Sequence, residues 1–147
     1  MNKPLDGKIA IITGGGRGLG RAMALGYAEA GASGIVITAA KNPNQIESVA
    51  KEINCIAGRN IGIAIRADVT DRNACREVAE ATLNSFGRID VLVNNAGLGQ
   101  GMMADNRVKF YEGNPEGWTA IIDVNINGPF FMARAVIQTM LQQRSGR

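Results

Sequence analysis

Short apolar runs alternate along this chain with longer stretches whose apolar residues recur every three or four positions. Ile9-Ala10-Ile11-Ile12 opens the series, and Gly34-Ile35-Val36-Ile37-Thr38, Ile61-Gly62-Ile63-Ala64-Ile65 and Ile89-Asp90-Val91-Leu92-Val93 continue it. These runs are predicted strands. Behind the first lies Arg21 to Ala30, rich in good helix formers. Behind the second, Asn42-Pro43 offers an N-cap with proline in the first turn, and Ile46, Val49, Ala50 and Ile53 follow at helical spacing. Behind the third, Asp71 caps a segment in which Cys75, Val78, Ala79, Thr82 and Phe86 share one face. Parallel strands need a long connection between them, and the alternation supplies a helix for each. The fold class is therefore doubly wound α/β with right-handed crossovers.

A last helix starts at Asn114-Pro115-Glu116, an N-cap, a first-turn proline and an acid facing the helix dipole, and is predicted to run to about Gln143. Inside it Pro129 lies four residues after Asn125. Proline has no amide hydrogen, so Pro129 cannot bond the Asn125 carbonyl, and its ring pushes that turn open. The carbonyl is left for water or a ligand; the other reading is a kink that serves packing against another subunit.

Between the first strand and its helix stands Thr13-Gly14-Gly15-Gly16-Arg17-Gly18-Leu19-Gly20. A backbone without Cβ atoms turns sharply and lets a pyrophosphate approach the amides at the positive end of the following helix. Counted from Gly14 the spacing is G-x-x-x-G-x-G, one residue more in the turn than G-x-G-x-x-G. A glycine-rich turn alone is also what a plain loop looks like. The flanking strand and helix, and the βα rhythm beyond them, make it a dinucleotide-binding opening.

Composition acts mainly by exclusion. With 147 residues, 46% apolar, and no repeat beyond the βα rhythm, the chain is expected to be one domain, 1–147, incomplete at its carboxyl end. The net charge of +3 comes from scattered residues with little aromatic interleaving, which argues against a nucleic-acid surface. No histidine is present, which removes His triads, His general bases and His-ligated zinc, and no metal site is expected. Cys55 and Cys75 are isolated on predicted helices and read as small core residues. No apolar run reads as long enough to span a bilayer, and Met1 to Gly7 lacks a signal-peptide pattern, so a cytoplasmic setting is expected.

Asn94-Asn95-Ala96-Gly97 follows directly on the fourth strand. Together with T-G-x-x-x-G-x-G at Thr13 to Gly20 and Asp68-Val69 after the third strand, it resembles the short-chain dehydrogenase/reductase family, over Gly7 to Arg147. The resemblance implies a Rossmann-type doubly wound parallel sheet, truncated after the fourth strand and its long following helix. It implies a nicotinamide dinucleotide whose pyrophosphate lies on Gly14, Gly15, Gly16, Arg17, Gly18, Leu19 and Gly20. Adenine would sit at Asp68 and Val69, and the cofactor ribose near Asn95, Ala96 and Gly97. For Asp68 a helix-capping acid near a strand end is the other reading. Asp123-Val124-Asn125-Ile126-Asn127-Gly128 resembles the family's catalytic asparagine region, where a water belongs to a proton relay, so Asn125 is the catalytic candidate.

An NAD enzyme places an acid about 20 residues past the glycines to bond the ribose 2′-hydroxyl. This chain has Ala39-Ala40-Lys41-Asn42 there, and Glu29, inside the first helix, is the one carboxylate between Gly20 and Glu47. An acid repels a 2′-phosphate and a cation pairs with it; Arg17 and Lys41 are both placed to do so, which favours NADP(H) over NAD(H). If Lys41 is a solvated residue at a helix start, the preference stays open. Leu98 to Gly113 reads as a loop longer than the family's usual one, by the carboxyl ends of the strands where ligands bind. Met102, Met103, Phe110 and Tyr111 in it either line a substrate pocket or cover the core.

Family enzymes use a serine after a fifth strand and a Tyr-x-x-x-Lys pair, in which lysine lowers the tyrosine pKa for proton exchange with a carbonyl or alcohol. Tyr27 and Tyr111 begin no such motif, and Ser145 does not match the family serine. The expectation is the cofactor-binding part of a longer NADP(H)-dependent oxidoreductase, inactive alone, that moves hydride between nicotinamide and a small carbonyl or alcohol substrate. Related enzymes pair through the long helix, which implies a homodimer or tetramer for the complete form. The alternative is a module that binds NADP(H) without turnover, with the apolar edge at Val91-Leu92-Val93 covered by a partner.

Overall fold

A computed structural model describes residues 3–99 and 109–147. Strands β1 (Ile9–Thr13), β2 (Gly34–Ala39), β3 (Gly62–Arg66) and β4 (Val91–Val93) form one parallel sheet in the order β3-β2-β1-β4. Ile11 stands opposite Val36 on one side and Leu92 on the other, and Val36 stands opposite Ile63. The chain winds from β1 out to β3 and then returns past β1 to β4. The strand order thus reverses at β1, and in open α/β sheets a cleft forms at the carboxyl ends beside that reversal.

Helices α1 (Gly18–Glu29) and α2 (Pro43–Ala57) cover one face of the sheet, α3 (Arg72–Phe86) and α5 (Gly128–Gln143) the other. Successive residues of a strand point to opposite faces. Ile12, Ile35 and Ile37 accordingly pack with Ala24, Ile46 and Ile53, while Ile11 and Val36 pack with Val78, Met132 and Val136. Asp71 caps α3 by accepting from the Asn73 and Ala74 amides. Asn42 stands at the N-cap position of α2, but its side chain makes no capping bond.

Helix α4 (Pro115–Ile122) is capped by Asn114, whose Oδ1 accepts from the Glu116 amide at 3.0 Å. It passes into α5 through a π-helical turn, Asp123–Asn127, in which the Gly128 amide donates to the Asp123 carbonyl five residues back. Pro129 explains the wider turn, because it supplies neither the hydrogen nor the room for the regular bond to Asn125. The helical run Pro115–Gln143 spans 29 residues and is, by length and composition, apolar enough to cross a bilayer. That corrects the expectation of no such run. The apolar residues Met132, Val136 and Met140 give this helix a buried face in the core.

Two further expectations change. Cys55 is exposed on the outer side of α2, and Cys75 alone is a core cysteine. The outer edge of β4 is not bare: the Leu92 amide donates to the Arg147 carbonyl at 2.8 Å, and the Arg147 amide donates to the Asp90 carbonyl at 3.0 Å. Asp90, just before β4, and Leu92 within it thereby bracket Arg147 as in a parallel ladder. Gln143 holds this corner, its Oε1 accepting from the Ile89 amide and its Nε2 donating to the Ile89 carbonyl.

Candidate functional site: a cofactor cleft at the carboxyl ends of the strands

The glycine turn is closed by contacts that leave no room for side chains. Gly14 has φ of +67°, and a Cβ on Gly20 would stand 2.2 Å from the Gly14 carbonyl oxygen. Gly14 thus needs the left-handed backbone that glycine adopts freely, and Gly20 needs the close approach. The turn is tied to the segment after β4 by Thr13 and Asn95. The Asn95 and Ala96 amides donate to the Thr13 hydroxyl oxygen at 3.1 and 3.0 Å, and Asn95 Nδ2 donates to the Thr13 and Gly14 carbonyls at 3.0 and 3.1 Å. The sequence pointed to Asn95 for the ribose, whereas Thr13 stood there only as part of the glycine motif, with no role of its own. The signal was present in the threonine that opens the glycine motif.

At the start of α1, no side chain caps the helix and no acid occupies the first turn. Its first amides and its positive dipole end are therefore disposed toward an anion. In front of them opens a cleft of about 660 Å³. Gly14, Gly16, Arg17, Gly18 and Leu19 form one wall, Lys41 stands at the β2 end, Asp68 and Val69 at the β3 end, and Asn95, Ala96 and Gly97 close the β4 side. Gly15 and Gly20 do not line it: a Cβ on Gly15 would meet Ile37 at 2.7 Å, which makes it a packing position. Arg17 and Lys41 are exposed, and among the described residues neither has an ion-pair partner.

Asp68 turns one oxygen, Oδ1, to the Thr70 amide and hydroxyl at 2.9 and 2.8 Å, while the capping of α3 falls to Asp71. Asn125 lies outside the cleft lining, one residue beyond Val124, which lines it. The Asn125 side chain is engaged at both ends: Oδ1 accepts from the Leu98 amide at 2.8 Å and Nδ2 donates to the Leu98 carbonyl at 2.9 Å. The amide thus copies a strand partner and fastens the wide helical turn to the segment that carries Asn95 to Leu98. Asp123 and Leu98 also line the cleft and were not singled out from sequence. Met102 and Met103 lie outside the described residues. Phe110–Glu112 is a 3-10 turn in which Tyr111 is exposed, so Tyr111 does not cover the core.

Cys75 near this end of the sheet and Asp90 at the opposite end have shifted titration. Burial, and then the negative charges of Asp71 and Asp68, push the Cys75 thiol up to about 11. Its sulfur donates to the Val69 carbonyl, so Cys75 is a neutral packing group and not a nucleophile near neutral pH. Burial would raise the Asp90 carboxyl, but the hydrogen bonds from Arg88, then that from the Ile9 amide, and the charges of Arg88 and Lys8 outweigh it and hold it below the ordinary carboxylate range. This pair secures the amino ends of β1 and β4, opposite the cleft.

A family model described as short chain dehydrogenase matches residues 8–147. The chain belongs to the short-chain dehydrogenase family. It is similar to the 3-oxoacyl-[acyl-carrier-protein] reductase of Synechocystis sp., 38% identical over 143 residues, which cover 97% of this chain and 54% of the relative. It is also similar to short chain dehydrogenase tazN of Aspergillus terreus, 39% identical over 142 residues, covering 94% of this chain and 29% of that one. Among solved structures, a metagenomic short-chain oxidoreductase in complex with NADP superposes with a TM-score of 0.83 at 32% identity, covering 97% of this chain and 60% of the other. The chain thus spans about half, or less, of the length of these curated relatives. This short-chain dehydrogenase chain presents four parallel strands and a cleft at their carboxyl ends.

Proposed function

We propose that the cleft binds a nicotinamide dinucleotide carrying a 2′-phosphate, and that the chain is the cofactor-binding part of an NADP(H)-dependent oxidoreductase acting on a carbonyl or alcohol. The observation that carries this reading is the pair of cations, Arg17 and Lys41, on the cleft wall without ion-pair partners among the described residues. A cation there favours a dianionic phosphate, and the end of β2 has no carboxylate to bond a ribose 2′-hydroxyl. The uncapped first turn of α1 suits the pyrophosphate, Asp68 and Val69 the adenine, and Asn95 to Gly97 the ribose on the nicotinamide side. When bound, the nicotinamide supplies the hydride chemistry; the residues of this chain bind and orient it. Asn125 fits the part of a residue whose turn holds a water, with its side chain keeping that turn against Leu98. The solved NADP complex supports the cofactor, and the relatives named as 3-oxoacyl-[acyl-carrier-protein] reductases support a carbonyl as the reacting group.

The same reading includes assembly with a second copy through the long helix. Ile126, Phe130, Ile137 and Leu141 are exposed along it, and Phe130 and Ile137 line a groove against α3 that mixes Leu83 and Phe131 with Arg72 and Arg134. Light scattering is expected to show a dimer or larger species, and a monomer at micromolar concentration counts against it. The cofactor reading is tested by titrating the protein with NADPH and NADH and following reduced-nicotinamide fluorescence. NADPH is expected to bind at least about tenfold more tightly, the effect of one added charge-assisted contact. Equal affinities would sink the preference. Tight NADPH binding without oxidation in the presence of a panel of ketones would favour the binding module.

A further inference from the structure

Arg66, which the spacing of sequence motifs does not mark, belongs with Arg17 and Lys41. We infer that it is a specificity-determining residue that places a guanidinium on the 2′-phosphate; this rests on the reading of the cleft as an NADP(H) site. Arg66 is the last residue of β3 and stands opposite Ala39 of β2. In-register neighbours in a parallel sheet project to the same face, so the Arg66 side chain leaves β3 on the side of Ala39, a cleft residue; Arg66 itself stands at the rim, outside the lining, next to Ala67, which belongs to it. Its Nε donates to the Ala40 carbonyl at 3.1 Å. The Ala67 amide donates to the Ala39 carbonyl at 3.1 Å, which keeps the two chain segments paired one step past the strands.

That anchor uses one of five guanidinium N–H groups and leaves the four on the terminal nitrogens. Ala40 and Lys41 both line the cleft, so the bond to Ala40 fixes the guanidinium beside the segment where the 2′-phosphate would lie. Arg21, in the first helical turn behind the glycines, is committed to Glu52. Arg66 is exposed and, among the described residues, has no ion-pair partner. Asp68, two residues on, directs Oδ1 to Thr70 instead. Lys41 offers a point charge on a mobile stem, whereas Arg66 offers a fork already oriented by a main-chain bond, the geometry that phosphate oxygens match.

The test is a titration of the wild-type, Arg66→Gln and Arg66→Lys proteins with NADPH, NADH and 2′,5′-ADP by isothermal calorimetry. Arg66→Gln is expected to weaken NADPH and 2′,5′-ADP about tenfold and NADH by less than about twofold. Arg66→Lys, which keeps the charge and loses the anchored fork, is expected to fall between. Equal weakening of NADPH and NADH would mean that Arg66 only shapes the turn, and no change in either would mean that it takes no part; both overturn the inference. A wild-type protein that binds NADH as tightly as NADPH overturns the cofactor reading itself, which is visible before any substitution is made.

Discussion

Single residues at this site act through the space they leave. Gly20 faces the Gly14 carbonyl so closely that any Cβ must displace the turn, whereas around Gly18 nothing stands within 4 Å and only its φ of +53° resists a side chain. Gly20→Ala is therefore expected to cost about 2–3 kcal/mol by overpacking, and Gly18→Ala about 1 kcal/mol by backbone strain. Urea unfolding of the two variants measures both; equal costs would show that the Gly14 carbonyl yields freely. The sequence identified every glycine of the turn but could not separate Gly14, Gly16 and Gly18, which face the cleft, from Gly15 and Gly20, which face Ile37 and Gly14. That distinction depends on which neighbours the sheet brings up behind them.

Among the elements, the wide helical turn between α4 and α5 matters most. The proline four residues after Asn125 was enough to predict an opened turn, because a missing amide hydrogen is a property of the residue itself. The destination of the Asn125 side chain was not legible, since Leu98 reaches it only after β4 has paired with β1. Asn125→Ala removes two hydrogen bonds to the Leu98 main chain and is expected to destabilise the protein by about 1–2 kcal/mol. It is also expected to weaken NADPH binding several-fold, because Asn95 to Leu98 line the cleft. Thermal unfolding together with an NADPH titration checks this, and a stability loss with undiminished affinity would separate the brace from the cleft.

At the scale of the whole molecule, the buried Asp90 ties the start of β1 to the start of β4 and sets how the sheet responds to acid. Its side chain is 2% exposed while that of Arg88 is 44% exposed, so the pair is only half removed from water. Unfolded aspartate titrates near pH 4, and the folded carboxyl titrates lower. The stabilisation is therefore complete above about pH 4 and is lost as the pH falls through the lower, folded value. Asp90→Asn is expected to lower stability at pH 7 by about 2 kcal/mol, discounted for the exposure of Arg88, and to flatten the acid limb of a stability-against-pH curve. An unchanged acid limb would assign that limb to other carboxylates.

The sequence by itself determined the strand and helix rhythm, the glycine turn, the Asp71 and Asn114 caps, the proline-opened turn and the family. All of these rest on residue type and short-range spacing, which no partner has to supply. Only the tertiary structure decided that the Thr13 hydroxyl takes the Asn95 and Ala96 amides, more than 80 residues away, that Arg66 is anchored on Ala40, and that Arg147 pairs along β4. It also decided that Cys55 is exposed and that the long helix keeps one apolar face outside the core. Each of these depends on which strands become neighbours. That order is set by the crossovers and by burial of both sheet faces together, and local patterns along the chain carry no record of it.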